Sequence, residues 1–159
     1  GVSVSGPRQA DTIRRALEVE RDGQRLFSSV QATWNLLERS AEDALEEAHR
    51  MGVRVIVKEA LANGALTERN ADMAVAPRLD VLRTEAGRLG VGMDAVALAA
   101  AVTRPWADMV LSGAATPEQL RSNVDALDCP WDDASEARLR GLTFDTHEYW
   151  AKRARLPWN

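Results

Sequence analysis

Short apolar runs and longer helical faces alternate along the chain. The runs predict four strands, one around Val2 and Val4 and the others at residues 26–31, 53–57 and 108–111. The third run, Val-Arg-Val-Ile-Val, is β-branched and nearly all apolar. Such a run is typical of a strand buried on both faces of a parallel sheet, so we expect that burial here.

Helical periodicity and end signals predict the intervening helices. Pro7 begins the first helix, and Asp22 and Gly23 end it. Ser40 is the predicted N-cap of the second helix, and Gly52 stands where a left-handed C-cap belongs. The predicted helices cover residues 7–21, 41–51, 77–89, 93–102, 117–127 and 134–142.

The order of these elements, β-α-β-α-β-loop-α-α-β-α-α, indicates a parallel sheet with right-handed crossovers. The loop covers residues 62–75, and a mixed tail follows residue 142. Two architectures remain open, a small doubly wound sheet and four βα units of an eight-fold barrel. No Gly-x-Gly-x-x-Gly follows the first strand, which removes the main support for a dinucleotide-binding doubly wound sheet. The chain begins directly in a strand and without a methionine, which favours the barrel and suggests a fragment.

Composition narrows the partners and the compartment. The 159 residues suffice for one domain, and the net charge of -4 is spread over 20 basic and 24 acidic residues without a basic run, which argues against nucleic acid. Cys129 is the sole cysteine, so neither an internal disulfide nor a cysteine zinc site is possible, and a reducing cytoplasm is expected. No apolar run reaches the roughly 20 residues of a membrane helix, so no membrane contact is expected.

Four segments at the predicted strand ends resemble, in order and spacing, the last four strand ends of aldo-keto reductases. Gly1-Val2-Ser3 is similar to the family's Gly-Val-Ser-Asn turn, and residues 30–37, VQATWNLL, are similar to its Gln-x-x-Tyr-Asn-Leu-Leu. Residues 60–66, ALANGAL, resemble its Pro-Leu-x-x-Gly-x-Leu, and residues 111–123, LSGAATPEQLRSN, resemble its closing cofactor motif. Each motif alone is weak, but four collinear motifs are specific.

The resemblance implies an α/β fold, the (β/α)8 TIM barrel, with this chain as the C-terminal half-barrel of four βα units. Residues 1–127 would form that half, and residues 128–159 a C-terminal helix and tail. It also implies the family's activity, reduction of a small-molecule carbonyl to an alcohol by hydride transfer. NADP is the expected cofactor, with NAD as the alternative.

In such barrels the ligand lies at the carboxyl ends of the strands. The resemblance assigns the nicotinamide carboxamide to a hydroxyl and an amide at two strand ends, and the pyrophosphate cover to the loop after the third. It assigns the adenosine and its 2′-phosphate to the start of the helix after the last strand, whose N-terminus suits an anion. The seven predicted cofactor-binding residues are Ser3, Gln31, Leu61, Gly113, Thr116, Gln119 and Asn123.

Several positions depart from the family pattern. Val4 replaces the Asn that adds a contact to the carboxamide, and Lys58 replaces the Tyr that stacks on the nicotinamide. A cation would repel the oxidised ring, so Lys58 is expected either to turn away or to pair with Glu59. The Lys and Arg that many members use for the 2′-phosphate fall on Gly113 and Gln119, which leaves the choice between NADP and NAD open.

The family's four catalytic residues, a Tyr with a Lys, an Asp and a His, belong to the first four strands, and none maps onto this chain. We read Tyr149, His49 and His147 as structural or surface residues. The expected partner is the N-terminal half-barrel or a second copy of the chain, because the strands around Val2 and residues 108–111 would be open edges. A non-catalytic half-barrel module and an unrelated small α/β enzyme are the alternative functions.

Overall fold

The computed structural model describes residues 1–69 and 76–156, with only the backbone of residues 76–78. The strands are β1 (Val2–Ser3), β2 (Glu20–Arg21), β3 (Gln24–Arg25), β4 (Ser29–Thr33), β5 (Arg54–Lys58) and β6 (Met109–Val110). The helices are α1 (Gln9–Leu17), α2 (Glu42–Arg50), α3 (Ala76–Leu89), α4 (Met93–Val102), α5 (Pro117–Val124), α6 (Asp133–Leu139) and α7 (Thr146–Arg153). Single 3₁₀ turns lie at Ala62–Gly64, Asp125–Leu127 and Arg140–Leu142.

Four strands form one parallel sheet in the order β1-β4-β5-β6, which leaves β1 and β6 at its edges as predicted. Helices connect these strands, as the alternating pattern requires for parallel neighbours. The carboxyl ends of all four strands therefore lie at the same end of the sheet, together with the turns that follow them.

Only one face of the sheet is buried among the described residues. Val55 and Val57 of β5 are fully buried with the apolar faces of the helices. The alternate positions Arg54, Ile56 and Lys58 face the other way and stay partly or wholly exposed. The expectation that residues 53–57 are buried on both faces is therefore wrong for this part of the chain. The reason is that no described element covers the second face.

The first predicted helix is too long. Helix α1 ends at Leu17, and residues 20–25 form the antiparallel hairpin of β2 and β3. Asp22 and Gly23 have φ values of 54° and 73°, as a tight two-residue hairpin turn requires. Asp-Gly therefore closes a hairpin here, whereas we expected it to end a helix.

The predicted cap of α2 is half right. Gly52 has a φ of 77° and its N–H donates to the His49 carbonyl at 2.9 Å, as expected of a left-handed C-cap. The N-cap, however, is Ala41, and the Ser40 hydroxyl donates to the carboxylate of Glu38. The buried Glu38 attracts this hydroxyl away from the helix start.

The C-terminal region is more regular than the predicted mixed tail. The helix expected at residues 134–142 is α6 followed by a 3₁₀ turn, and α7 comes after it. Asp145 caps α7 by accepting from the Glu148 N–H at 3.1 Å. Tyr149 is the buried residue of this helix and fixes it to the end of β4.

Candidate functional site

A cleft of about 510 Å³ lies between the carboxyl ends of β5 and β6. Its lining includes residues from the two strand ends, from the turn after β5, from the start of α4 and from α5. Four of the seven predicted site residues line it: Leu61, Gly113, Gln119 and Asn123. The structure thus brings together residues that are more than fifty positions apart in the sequence.

The connection from β6 to α5 is held by its own side chains. Asn123, buried in α5, donates from its amide to the Ser112 carbonyl at 3.1 Å. Gly113 has a φ of 64°, and nothing lies within 4 Å of the position of a Cβ there. The glycine therefore gives the turn a left-handed conformation and leaves open space above the backbone.

Thr116 is the N-cap of α5 and accepts from the Gln119 N–H at 3.3 Å. The side-chain oxygen of Gln119 accepts from the Ala115 N–H at 2.8 Å. This bond uses only the amide oxygen, so the amide nitrogen of Gln119 keeps two N–H donors for other contacts. Thr116 itself is not among the residues that line the cleft.

Ser3 and Gln31 occupy neighbouring strands and lie directly opposite each other in the register of β1 and β4. Neither lines the cleft. Val4, next along, is buried, and its N–H donates to the Gln31 carbonyl at 2.8 Å. The residue that replaces the family's Asn therefore belongs to the core and to the sheet ladder.

Lys58 connects this pair with the cleft. It lines the cleft from the end of β5, and its Nζ donates to the Ser5 hydroxyl at 2.7 Å and to the Ser3 hydroxyl at 3.3 Å. Lys58 was expected either to turn away from the ring or to pair with Glu59, and it does not pair with Glu59. The Glu59 carboxylate pairs with Arg153 of α7 at 2.9 Å instead.

Glu59 begins a strained turn at the floor of the cleft. Its φ is 56°, and those of Ala62 and Asn63 are 47° and 54°, all in the region that side chains other than glycine rarely adopt. The buried Asn35 donates to the Glu59 carbonyl at 2.9 Å, and Arg153 holds the carboxylate. These two contacts keep the turn, and with it Leu61, in place.

Four further residues shape the site, although the sequence alone does not assign them to it: Asn35, Asp94, Tyr149 and Arg153. Asp94 lines the cleft from α4 and accepts from the Ser122 hydroxyl at 2.6 Å. Asn35 also donates to the Tyr149 hydroxyl at 3.0 Å. Asn35 belongs to the motif at residues 30–37, but neither that motif nor any periodicity indicates these partners, which only the fold brings together.

Tyr149, His49 and His147, which we predicted to be structural or surface residues, lie at structural or surface positions. Burial raises the pKa of Tyr149, and its hydroxyl hydrogen-bonds with Asn35. His49 Nδ1 of α2 lies 3.4 Å from Asp108 Oδ2, which precedes β6 at the amino-terminal end of the strands. His147 is exposed. Within residues 1–69 and 76–156 no three His, Cys, Asp or Glu side chains are grouped as metal ligands. None of the helices described there could cross a membrane.

Comparison with known families decides the affiliation. The model of the aldo/keto reductase family matches residues 1–143 of the chain. The chain belongs to the aldo/keto reductase family. Comparison with curated protein sequences found no significant match.

Solved structures of aldo-keto reductases have the same fold. Aldo-keto reductase AKR11C1 from Bacillus halodurans, in its apo form, superposes with a TM-score of 0.70 at 21% identity, covering 92% of this chain and 53% of that one. Its holo form gives 0.70 and 21%, with 92% and 52% covered. The thermostable aldo-keto reductase Tm1743, in complex with the inhibitor epalrestat, gives 0.66 and 21%, with 89% and 47% covered.

This aldo/keto reductase chain therefore spans about half the length of the solved structures that it matches. Its α/β architecture, with one parallel sheet and helices between the strands, agrees with the predicted fold class. The cleft lies at the carboxyl-terminal end of the strands, which is where barrels of this type bind their ligands.

Proposed function

We propose that this chain is the cofactor-binding half of an NAD(P)H-dependent aldo-keto reductase. The observation that carries the proposal is the cleft itself, in which Leu61, Gly113, Gln119 and Asn123 converge at the carboxyl ends of β5 and β6. The resemblance assigns these four residues, from two separate motifs, to one cofactor. Ser3, Gln31 and Thr116 complete the proposed site around the cleft.

The residues present fit a nicotinamide dinucleotide. The volume of about 510 Å³ lies within the range of cofactor clefts, and the open space over Gly113 lets a ligand approach the backbone. A hydroxyl and an amide at the register pair Ser3 and Gln31 offer the donor and acceptor that a carboxamide needs. When bound, the cofactor supplies the hydride for reduction of a carbonyl.

The adenosine end of the cofactor would lie against α5. The amide nitrogen of Gln119 retains its donors, and the positive end of the helix favours a phosphate. The N–H groups of Ala115 and Gln119 are already bonded to side chains, so the anion would rely on the other groups of the first turn. We propose NADP as the cofactor and retain NAD as the alternative, since Gly113 and Gln119 bring no cation.

The carbonyl chemistry would need a second body. The exposed face of the sheet carries Met109 and Leu111, with 49% and 40% of their surface exposed. The edges at β1 and β6 add unpaired backbone groups. We propose that an N-terminal half-barrel with the proton donor, or a second copy of this chain, covers this face. We also propose that the protein works in a reducing cytoplasm. Light scattering coupled to size exclusion tests this, and a cooperatively melting monomer of 17.4 kDa would contradict it.

Isothermal titration calorimetry of the 159-residue chain tests the proposed cofactor role. NADPH should bind saturably, with one molecule per chain. Gln119→Ala and Asn123→Ala should weaken binding, while Leu127→Ala, an exposed residue outside the cleft, should not. The absence of binding to NADPH and to NADH would favour the alternative, a non-catalytic half-barrel module.

A further inference from the structure

The ammonium of Lys58 lies beside Ser3, one of the residues to which the proposed function assigns the nicotinamide carboxamide. Its Nζ hydrogen-bonds with the hydroxyls of Ser3 and Ser5, which crosses the sheet from β5 over β4 to β1. Ser3 is one of the two residues proposed to hold the carboxamide. The charge therefore lies within one hydrogen bond of a group that would contact the carboxamide of the nicotinamide ring.

No carboxylate neutralises this cation in the described part of the chain. Glu59, its neighbour in sequence, gives its carboxylate to Arg153 at 2.9 Å. Asp94, the other acid of the cleft wall, accepts from Ser122 at 2.6 Å. Both hydrogen-bond partners of Lys58 are neutral hydroxyls, so no carboxylate of the described residues offsets its positive charge beside the proposed ligand.

We propose that Lys58 makes the site select the reduced form of the cofactor over the oxidised form. The inference rests on the proposed function, because it requires the nicotinamide to lie beside Ser3. The oxidised ring carries a positive charge and the reduced ring carries none, while the rest of the cofactor is identical in the two forms. Repulsion from Lys58 acts only on the oxidised ring, and at a half-buried site it amounts to on the order of tenfold in affinity.

This selection has a functional consequence. A site that releases the oxidised cofactor more readily than the reduced one holds more of the reductant at any given ratio of the two forms, so the oxidised product inhibits it less. Lys58 acts here as a specificity-determining residue, because it contacts neither the carbonyl nor the transferred hydride in this arrangement.

Calorimetric titration of four proteins with three ligands tests the inference. The proteins are the 159-residue chain, Lys58→Met, Lys58→Arg and Lys152→Met. Lys152 is the matched control, since it is the other lysine of the sequence and pairs with Glu148 in α7. The ligands are NADPH, NADP⁺ and 2′-phospho-ADP-ribose, which lacks the nicotinamide.

The unaltered chain, Lys58→Arg and Lys152→Met should bind NADPH about tenfold more tightly than NADP⁺, and Lys58→Met should bind both equally. The ratio compares two ligands on one protein, so a general weakening by the substitution cancels. An unchanged ratio in Lys58→Met, or equal affinities in the unaltered chain, would overturn the role of Lys58 and leave the proposed function intact. Failure of all three ligands to bind the unaltered chain would overturn both.

Discussion

Ser3 of β1 and Gln31 of β4 are register partners in the parallel sheet, with the Val4 N–H bonded to the Gln31 carbonyl just beyond them. Neighbouring strands run about 4.8 Å apart, so the hydroxyl and the amide can reach one small polar group together. The two residues come from motifs that lie 28 positions apart in the sequence, as their numbers show. Their pairing gives the nicotinamide end of the proposed site a definite location.

Substitutions at the two ends of the proposed site should separate its functions. Ser3→Ala and Gln31→Ala should each weaken NADPH binding roughly fivefold, the equivalent of one hydrogen bond, without changing the affinity for 2′-phospho-ADP-ribose. Gln119→Ala should weaken the binding of NADPH and of 2′-phospho-ADP-ribose by the same factor. Calorimetry measures these affinities, and equal effects of all three substitutions on both ligands would contradict the assignment.

The isolated chain should not reduce aldehydes or ketones. The proton donor and its partners do not map onto it, and Tyr149, its one tyrosine, is buried against Asn35 with a raised pKa. General acid–base assistance alone contributes a factor of about 10² to 10⁴. A spectrophotometric assay of NADPH oxidation with several carbonyl compounds measures the activity. Carbonyl-dependent turnover by the pure 159-residue chain would show that this prediction is wrong.

The succession of strands and helices along the chain and most helix bounds followed from the sequence, because they depend on local pattern. The apolar run of α4 gave bounds of 93–102 that the structure reproduces, and the helix predicted at residues 77–89 is α3, which buries Leu79, Leu82 and Ala86. Residues 18–21 fit a helical pattern as well as a strand, so the hairpin at Asp22 and Gly23 was missed. Local pattern does not resolve such cases, since both conformations satisfy it.

The site was predictable only in part. Two of the four motifs located Leu61, Gly113, Gln119 and Asn123, which the structure places in one cleft. The bond from Lys58 to Ser5 and the pair of Glu59 with Arg153 join residues 53 and 94 positions apart. Such contacts depend on distances across the sheet and on the docking of α7, which a single sequence does not contain.

Glu38 should make the stability of the fold fall between acidic and neutral pH. It is 1% exposed, one carboxylate oxygen has no partner among the described residues, and burial raises its pKa above 4.5. The protonated form is favoured in the fold, so its contribution is present below 4.5 and is lost as the pH rises through the raised pKa. Glu38→Gln should therefore stabilise the chain at neutral pH and not in acid.

Glu85→Gln serves as the opposite case for this measurement. The Glu85 side chain is 1% exposed and pairs with Arg88 at 2.6 Å, and the hydrogen bond from Arg88 lowers its pKa. Its contribution is present above the ordinary pKa and is lost as the pH falls through the lowered one. Glu85→Gln should destabilise at neutral pH. Chemical denaturation of both variants across the pH range measures the effects, and parallel pH profiles would contradict the account.

Asn35 should be the main anchor of the strained turn and of α7. It donates to Glu59 and Tyr149 and accepts from the N–H groups of Leu37 and Glu38. Asn35→Ala leaves several buried groups unpaired and should cost about 3 kcal/mol in unfolding free energy, while Tyr149→Phe should cost about 1 kcal/mol. His147→Ala, exposed on the same helix, is the control. Urea denaturation that ranks Asn35→Ala no lower than that control would contradict the assignment.

Amide chemical-shift mapping of the ¹⁵N-labelled 159-residue chain during titration with NADPH tests the cofactor role most directly. We expect shifts at Ser3, Gln31 and Leu61 and at the amides of residues 112–123, with residues around His49 and Asp108 at the opposite end of the strands unchanged. Titration with 2′-phospho-ADP-ribose should reproduce the changes at residues 112–123 and leave Ser3 and Gln31 unaffected. A spectrum that NADPH does not alter, or shifts confined to residues outside the cleft and the strand ends, would contradict the proposal that this chain binds the cofactor.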